Sequence, residues 1–132
     1  MVIVDTSIWV EAFRSKDSSE RREVDRLLAT GQVALVGPVL AEVLQGARDQ
    51  SEFESLQDVF SALPYVEDGR EVWARVGHLS YELRRHGSAL GLIDLLVGAL
   101  ALQSGHSVYT SDTHFQRIPG LRLHEPGSDV AS

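Results

Sequence analysis

Val2-Ile3-Val4-Asp5-Thr6-Ser7-Ile8-Trp9-Val10-Glu11-Ala12-Phe13 changes its hydrophobic period part-way along. The opening β-branched run has no polar alternation, which reads as a short strand buried on both faces of a parallel sheet. From Ile8 onward the apolar residues keep helical spacing, so Asp5 falls at the carboxyl end of the strand, with Thr6 and Ser7 opening the helix. Open α/β sheets bind their ligands at that edge. Whether other chemically competent groups return to meet Asp5 therefore decides what the chain can do.

Working outward, a second helix is expected from Ser18 or Ser19, with Val24, Leu27 and Leu28 inward and Gly31 as its stop. Val33-Ala34-Leu35-Val36 reads as another buried strand. Gly37-Pro38 then opens a helix carrying Val39, Leu40, Val43 and Leu44, with Glu42 among them and Gly46 near its end. Ser51-Glu52-Phe53-Glu54 fits a capping box, and Phe53, Leu56, Phe60 and Leu63 form the inner stripe of the helix that Pro64 ends. Tyr65-Val66 is a short strand. A further amphipathic helix follows through Val72, Val76, Leu79 and Leu83 to His86-Gly87, with Trp73 extending the stripe in a core or helix-pairing role. Leu92 to Leu102 is apolar nearly all round, a helix buried on most sides, and Asp94 near its start is the exception. Beyond Gly105, Ser107-Val108-Tyr109-Thr110 reads as a strand, Thr110 to Phe115 turns out of it, and Leu121-Arg122-Leu123 alternates like an edge strand. Strands alternating with helices predict a three-layer α/β/α domain with a central parallel sheet. Its expected extent is residues 1–125, with 126–132 as a flexible C-terminal tail.

At 132 residues the chain is one domain by size, able to bury roughly 68% of its extended surface without a staple. It has no cysteine, so any metal must be held by oxygen or imidazole. A strand beginning at Val2 leaves no room for a signal peptide. The longest apolar stretch is far short of the ~20 residues that span a bilayer, which predicts a cytoplasmic protein without a membrane role. A net charge of −7 and a pI near 5.1 exclude a general nucleic-acid-coating protein, which needs a basic surface. They do not exclude an enzyme that acts on nucleic acid. The basic residues gather as Arg14, Lys16, Arg21, Arg22 and Arg26, and as Arg84, Arg85 and His86; solvated helix faces account for both groups, and RNA or an acidic peptide would also suit them.

Four acids adjoin strongly apolar sequence: Asp5, Glu42, Asp94 and Asp112. Each alone has an ordinary explanation as a helix cap, an Asx-turn residue or an outward-pointing side chain. Taken together they require more. Asp5 and Asp112 follow strands whose carboxyl ends a parallel sheet places on one edge, and Asp94 at a helix start can join them there. Like charges ~4 Å apart repel by about 4 kcal/mol at an effective dielectric of 20. With no lysine close to any of them in sequence, a divalent cation is the economical counter-charge, and oxygen ligands favour Mg²⁺ or Mn²⁺. Such a site can hydrolyse a phosphodiester through an activated water. The histidines lack zinc-ligand spacing, although His114 adjoins Asp112.

The ordered set of Asp5-Thr6-Ser7, Glu42, Asp94 before Leu95-Leu96, and Thr110-Ser111-Asp112-Thr113-His114-Phe115 resembles the PIN-domain ribonucleases, specifically VapC-like toxins of bacterial toxin–antitoxin pairs. No single motif is specific; their order across the whole chain carries the likeness. The resemblance implies a metal-dependent endoribonuclease in which Asp5, Glu42, Asp94 and Asp112 hold Mg²⁺ or Mn²⁺, and Thr6, Ser7 and Thr110 orient the acids. It also implies transfer or ribosomal RNA as substrate, a cognate antitoxin as inhibitor, and a homodimer that becomes a heterotetramer or larger with the antitoxin. Where some relatives place another acid near the end of the last motif, this chain has His114, and Gly98 one turn after Asp94 supplies no replacement. Two alternatives remain at this stage: a receiver-like or phosphatase-like Mg-dependent phosphotransfer domain, and a PIN-like module that binds without cutting.

Overall fold

Three two-helix crossovers link the strands of one parallel sheet, in the computed structural model that describes residues 1–130. In chain order the elements are β1 (Val2–Val4), α1 (Thr6–Arg14), α2 (Ser19–Ala29), β2 (Val33–Val36), α3 (Gly37–Gln45), α4 (Gln50–Ser61), β3 (Tyr65–Val66), α5 (Arg70–Arg85), α6 (Leu92–Ser104) and β4 (Ser107–Tyr109). A 3-10 turn, Thr113–Arg117, follows. The sheet order is β3-β2-β1-β4, and all three pairings are parallel. Every residue of β1 and β2 is buried, as their unbroken apolar runs require.

Helices α1 to α4 pack among themselves, and α5 packs on α6. Right-handed crossovers that step from β1 to β2 to β3 and then back past β1 to β4 put those two groups on opposite faces. That is the expected three-layer α/β/α domain. The step back also creates a topological switch point between β1 and β4, where loops diverge to opposite faces and leave a crevice. Asp5, Thr110 and Asp112 all emerge there. No helix of the described residues is long and apolar enough to cross a membrane.

The α1–α4 face is held by Trp9, which is 1% exposed and meets Phe60 edge-on with ring centroids 5.1 Å apart. On the other face, α6 buries seven consecutive residues from Leu95 to Ala101. Gly98 is among them because a Cβ there would lie 2.5 Å from Cδ1 of Ile118. Its bare backbone lets Ile118 seat against the helix, and Ile118 and Phe115, both buried, fix the 3-10 turn that presents Asp112 and His114.

Several sequence expectations need correction. The cap of α4 is Asp49, whose side chain accepts from Glu52 N–H at 2.8 Å, so the helix begins before the Ser51 capping box. Trp73 takes no core role: it is 43% exposed, and its indole N–H donates to Asp68. Leu92 and Ile93, at the start of the otherwise buried α6, are also exposed. Leu121-Arg122-Leu123 forms only a parallel bridge, Val108 to Leu123, at the β4 edge.

The segment expected to fray is anchored. Buried Glu23 on α2 accepts from the His124 ring and from Gly127 N–H, Arg26 donates to the carbonyl of Ser128, and Val130 packs against the core. The arrangement is stable because Arg26 and His124 supply the donors that an otherwise costly buried carboxylate needs. Residues 131 and 132 of the expected tail lie outside the described residues.

Candidate active site

Asp5 stands at the N-cap position of α1 yet makes no capping bond with its side chain. Its Oδ2 instead accepts two hydroxyls, from Ser7 at 2.9 Å and from Thr110 at 2.8 Å. These bonds tie β1 to the end of β4, and Asp5 N–H donates to the Tyr109 carbonyl across the same seam. Thr6, one residue on, donates to Oε1 of Glu42 at 3.3 Å and so brings the α3 carboxylate in from its exposed position. Asp112 is held from both sides. Its backbone N–H donates to the Thr110 hydroxyl at 3.0 Å, and its Oδ1 accepts from the backbone of His114 at 2.9 Å, a true cap of the 3-10 turn.

Asp94 lies in the first turn of α6, where the helix dipole favours a negative charge, and the cap position itself belongs to Gly91. Burial, then the neighbouring charges of Asp112, Asp5 and Glu42, raise its carboxyl above the ordinary aspartate value, with His114 acting in the opposite direction. Four acids from four separate segments therefore share one electrostatic neighbourhood. Single oxygens of Asp94 and Asp112 and a ring nitrogen of His114 lie within 4.8 Å of one another. Among the described residues, no Arg or Lys forms an ion pair with any of these carboxylates.

That donor set fits a divalent cation. Asp5 Oδ2 accepts two hydroxyls and Asp112 Oδ1 accepts one backbone N–H, so each carboxylate is held in place and retains lone pairs for a ligand. Converging carboxylates without a cationic side chain are the surroundings in which a hard metal ion is bound. The edge is open: Glu42 and His114 are exposed, Asp94 and Asp112 half-buried, and only Asp5 is sunk. Such a shape admits a polymer backbone and would leave a small metabolite uncovered.

Asp5, Thr6, Ser7, Glu42, Asp94, Thr110 and Asp112, the residues expected from the sequence, all lie at this edge. His114 joins them, with its Nδ1 3.2 Å from Oδ1 of Asp112. The signal for it was its place two residues after a strand-end acid, on a turn short enough to fold back.

The PIN-domain family model matches residues 2–121. The chain belongs to the PIN-domain family. Membership displaces the receiver-like and phosphatase-like phosphotransfer alternative, since one family model covers the region that all four acids occupy. Within the family it is similar to the VapC proteins: Ribonuclease VapC11 of Mycobacterium tuberculosis is 32% identical over 122 residues, which cover 89% of this chain and 91% of that relative. The VapC ribonuclease Mb1587 of Mycobacterium bovis matches to the same extent, 32% over 122 residues. Among solved structures, VapBC2 from Rickettsia felis, bound to a DNA fragment from its promoter, superposes with a TM-score of 0.77 at 26% identity. That match covers 94% of this chain and 98% of the other. DNA-bound VapBC from Salmonella typhimurium gives a TM-score of 0.75 at 25% identity, covering 93% and 96%.

Proposed function

We propose that this PIN domain is the endoribonuclease toxin of a toxin–antitoxin pair, which hydrolyses RNA phosphodiester bonds with Mg²⁺ or Mn²⁺ and is held inactive by a cognate antitoxin. The observation that carries the reading is the gathering of Asp5, Glu42, Asp94 and Asp112 at the switch-point edge with, among the described residues, no Arg or Lys paired to them. When bound, a divalent cation supplies Lewis acidity and an acidified water there. The chain's own part is orientation. Ser7 and Thr110 hold Asp5, Thr6 holds Glu42, and Thr110 with the His114 backbone holds Asp112, so that the carboxylates need little reorganisation at the moment of reaction. Transfer or ribosomal RNA is the substrate class in this reading, because a folded RNA can present a splayed backbone to an open edge.

The antitoxin finds apolar pockets beside α1. Trp9, Phe13, Val24, Leu28 and Val59 line one pocket, edged by the Arg21–Asp25 pair, and Val10, Val43 and Leu56 line a second that shares Phe13, edged by Arg14 and the Arg48–Glu52 pair. The apolar face of an amphipathic peptide matches that surface. With a charge of −7 on this chain, contact with promoter DNA in such a complex falls to the partner. The exposed Trp73 and Tyr81 on α5 and Leu92 and Ile93 on α6 supply apolar surface for a homodimer.

The test is to sequence RNA ends after controlled expression of the wild type and of Asp5→Asn. New, discrete ends with the wild type alone, at equal folded protein, support the reading and name the RNA. Equal cutting by Asp5→Asn, or no new ends with the wild type, overturns it.

A further inference from the structure

We propose that His114 is a ligand of the cation through Nδ1, which makes this edge a mixed oxygen and nitrogen site that favours a first-row transition ion over Mg²⁺. The proposal rests on the cation reading above and adds the identity of one donor and the preference it confers.

Geometry is the first support. An octahedral ion with bonds of ~2.1 Å needs neighbouring donors about 3.0 Å apart and opposite donors about 4.2 Å apart. Nδ1 of His114 lies 3.2 Å from Oδ1 of Asp112, the length of one octahedral edge. Donor atoms of Asp94, Asp112 and His114 all fall within 4.8 Å of one another, a spread that one ion can close with sub-ångström movement.

Placement is the second. The His114 ring is not held by the core: its side chain is 53% exposed and the acids are the groups it faces. Its backbone is held firmly. His114 N–H is bonded to Asp112, and the next residue, Phe115, is 1% exposed, so the turn keeps the base of the ring beside the acids. A surface histidine fixed at its backbone and aimed at two carboxylates is arranged as a ligand is. The chemistry gives the preference. Mg²⁺ dehydrates reluctantly and takes oxygen donors, whereas imidazole is a good ligand for first-row transition ions.

Mn²⁺ binding followed by electron paramagnetic resonance tests this, with spin-echo detection of nitrogen coupling in protein carrying ¹⁵N-histidine. Wild type should show imidazole nitrogen coupled to bound Mn²⁺. His114→Gln should lose that coupling, weaken Mn²⁺ binding roughly ten-fold or more, and change Mg²⁺ binding, read by competition, less than about two-fold. His114→Asp should narrow the Mn²⁺ to Mg²⁺ affinity ratio while keeping both ions bound. Mn²⁺ bound without nitrogen coupling overturns the proposal and leaves the cation reading standing, as does an equal loss of both ions in a folded His114→Gln. A wild type that binds no Mn²⁺ overturns both.

Discussion

Thr110, the residue after β4, donates its hydroxyl to Oδ2 of Asp5, the residue after β1, and the 2.8 Å bond closes the crevice from which the acids project. The same hydroxyl accepts from Asp112 N–H at 3.0 Å, so one side chain sets the aim of two carboxylates. Thr110→Val keeps the shape and removes both bonds. RNA cutting should fall 10–100-fold, the range seen when residues supporting a metal ligand are lost, with stability lowered by about 1 kcal/mol. Thr110→Ser should restore most of the activity. Cleavage assays on the two variants with matched melting curves decide the point, and undiminished cutting by Thr110→Val would remove the hydroxyl from the site's design.

Glu23 predicts a pH dependence of stability. The Arg26 guanidinium beside it, joined by His124 and the Gly127 N–H, holds its carboxyl at about 2, below the ordinary 4.5 and against the effect of burial. A carboxyl depressed on folding stabilises the protein above its unfolded value and loses that contribution as pH falls towards its folded value. The window is therefore pH 4.5 down to about 2. The contribution is on the order of 3 kcal/mol. Glu23→Gln should be less stable than wild type at neutral pH and should flatten the acid limb of a denaturant-unfolding series by a similar amount. Parallel acid limbs for the two proteins would contradict this.

Packing at Gly98 should control the site without touching an acid. Gly98→Leu drives new carbon into the space that Ile118 occupies, and overpacking of this kind costs about 1–3 kcal/mol. Because Ile118 and Phe115 seat the turn bearing Asp112 and His114, Mn²⁺ affinity should fall together with stability. Crystallography or amide exchange of the variant should locate the change at residues 112–118, and a disturbance elsewhere would refute this route.

Phe13 separates inhibition from cutting. It stacks on Trp9 with ring centroids 6.0 Å apart, lies under the Arg21 guanidinium, and sits about 12 Å of helix beyond Asp5. Phe13→Asp should weaken antitoxin binding at least ten-fold, as loss of an aromatic anchor does. RNA cutting in the absence of antitoxin should stay within about two-fold of wild type. Calorimetry with the antitoxin tail peptide and a cleavage assay give both numbers.

The sheet and its acidic edge were legible because each was written in local periodicity. Val2–Val4 and Val33–Val36 are too short and too apolar to be anything but buried strands, and Asp5 and Asp112 follow strands in the sequence itself. The Glu23 to His124 pair was not legible, since its members are 101 residues apart and a glutamate in an amphipathic helix reads as surface. Trp73 occupied a position compatible with the inner stripe, yet one turn into α5 the indole found Asp68 and remained in solvent. Asp49 and Ser51 are both good caps, and only the path of the chain into α4 chooses between them.

The β1 to β4 seam joins residues 105 positions apart, and this sets a timetable for the molecule. A ribosome adding roughly 5–20 residues per second delivers Thr110 on the order of 5–20 s after Asp5. Throughout that interval the nascent chain carries its first carboxylate with no neighbour to aim it, so an interrupted translation product has no assembled acid cluster. The cell therefore meets a competent edge only after the chain has been made through Thr110 and beyond to Asp112.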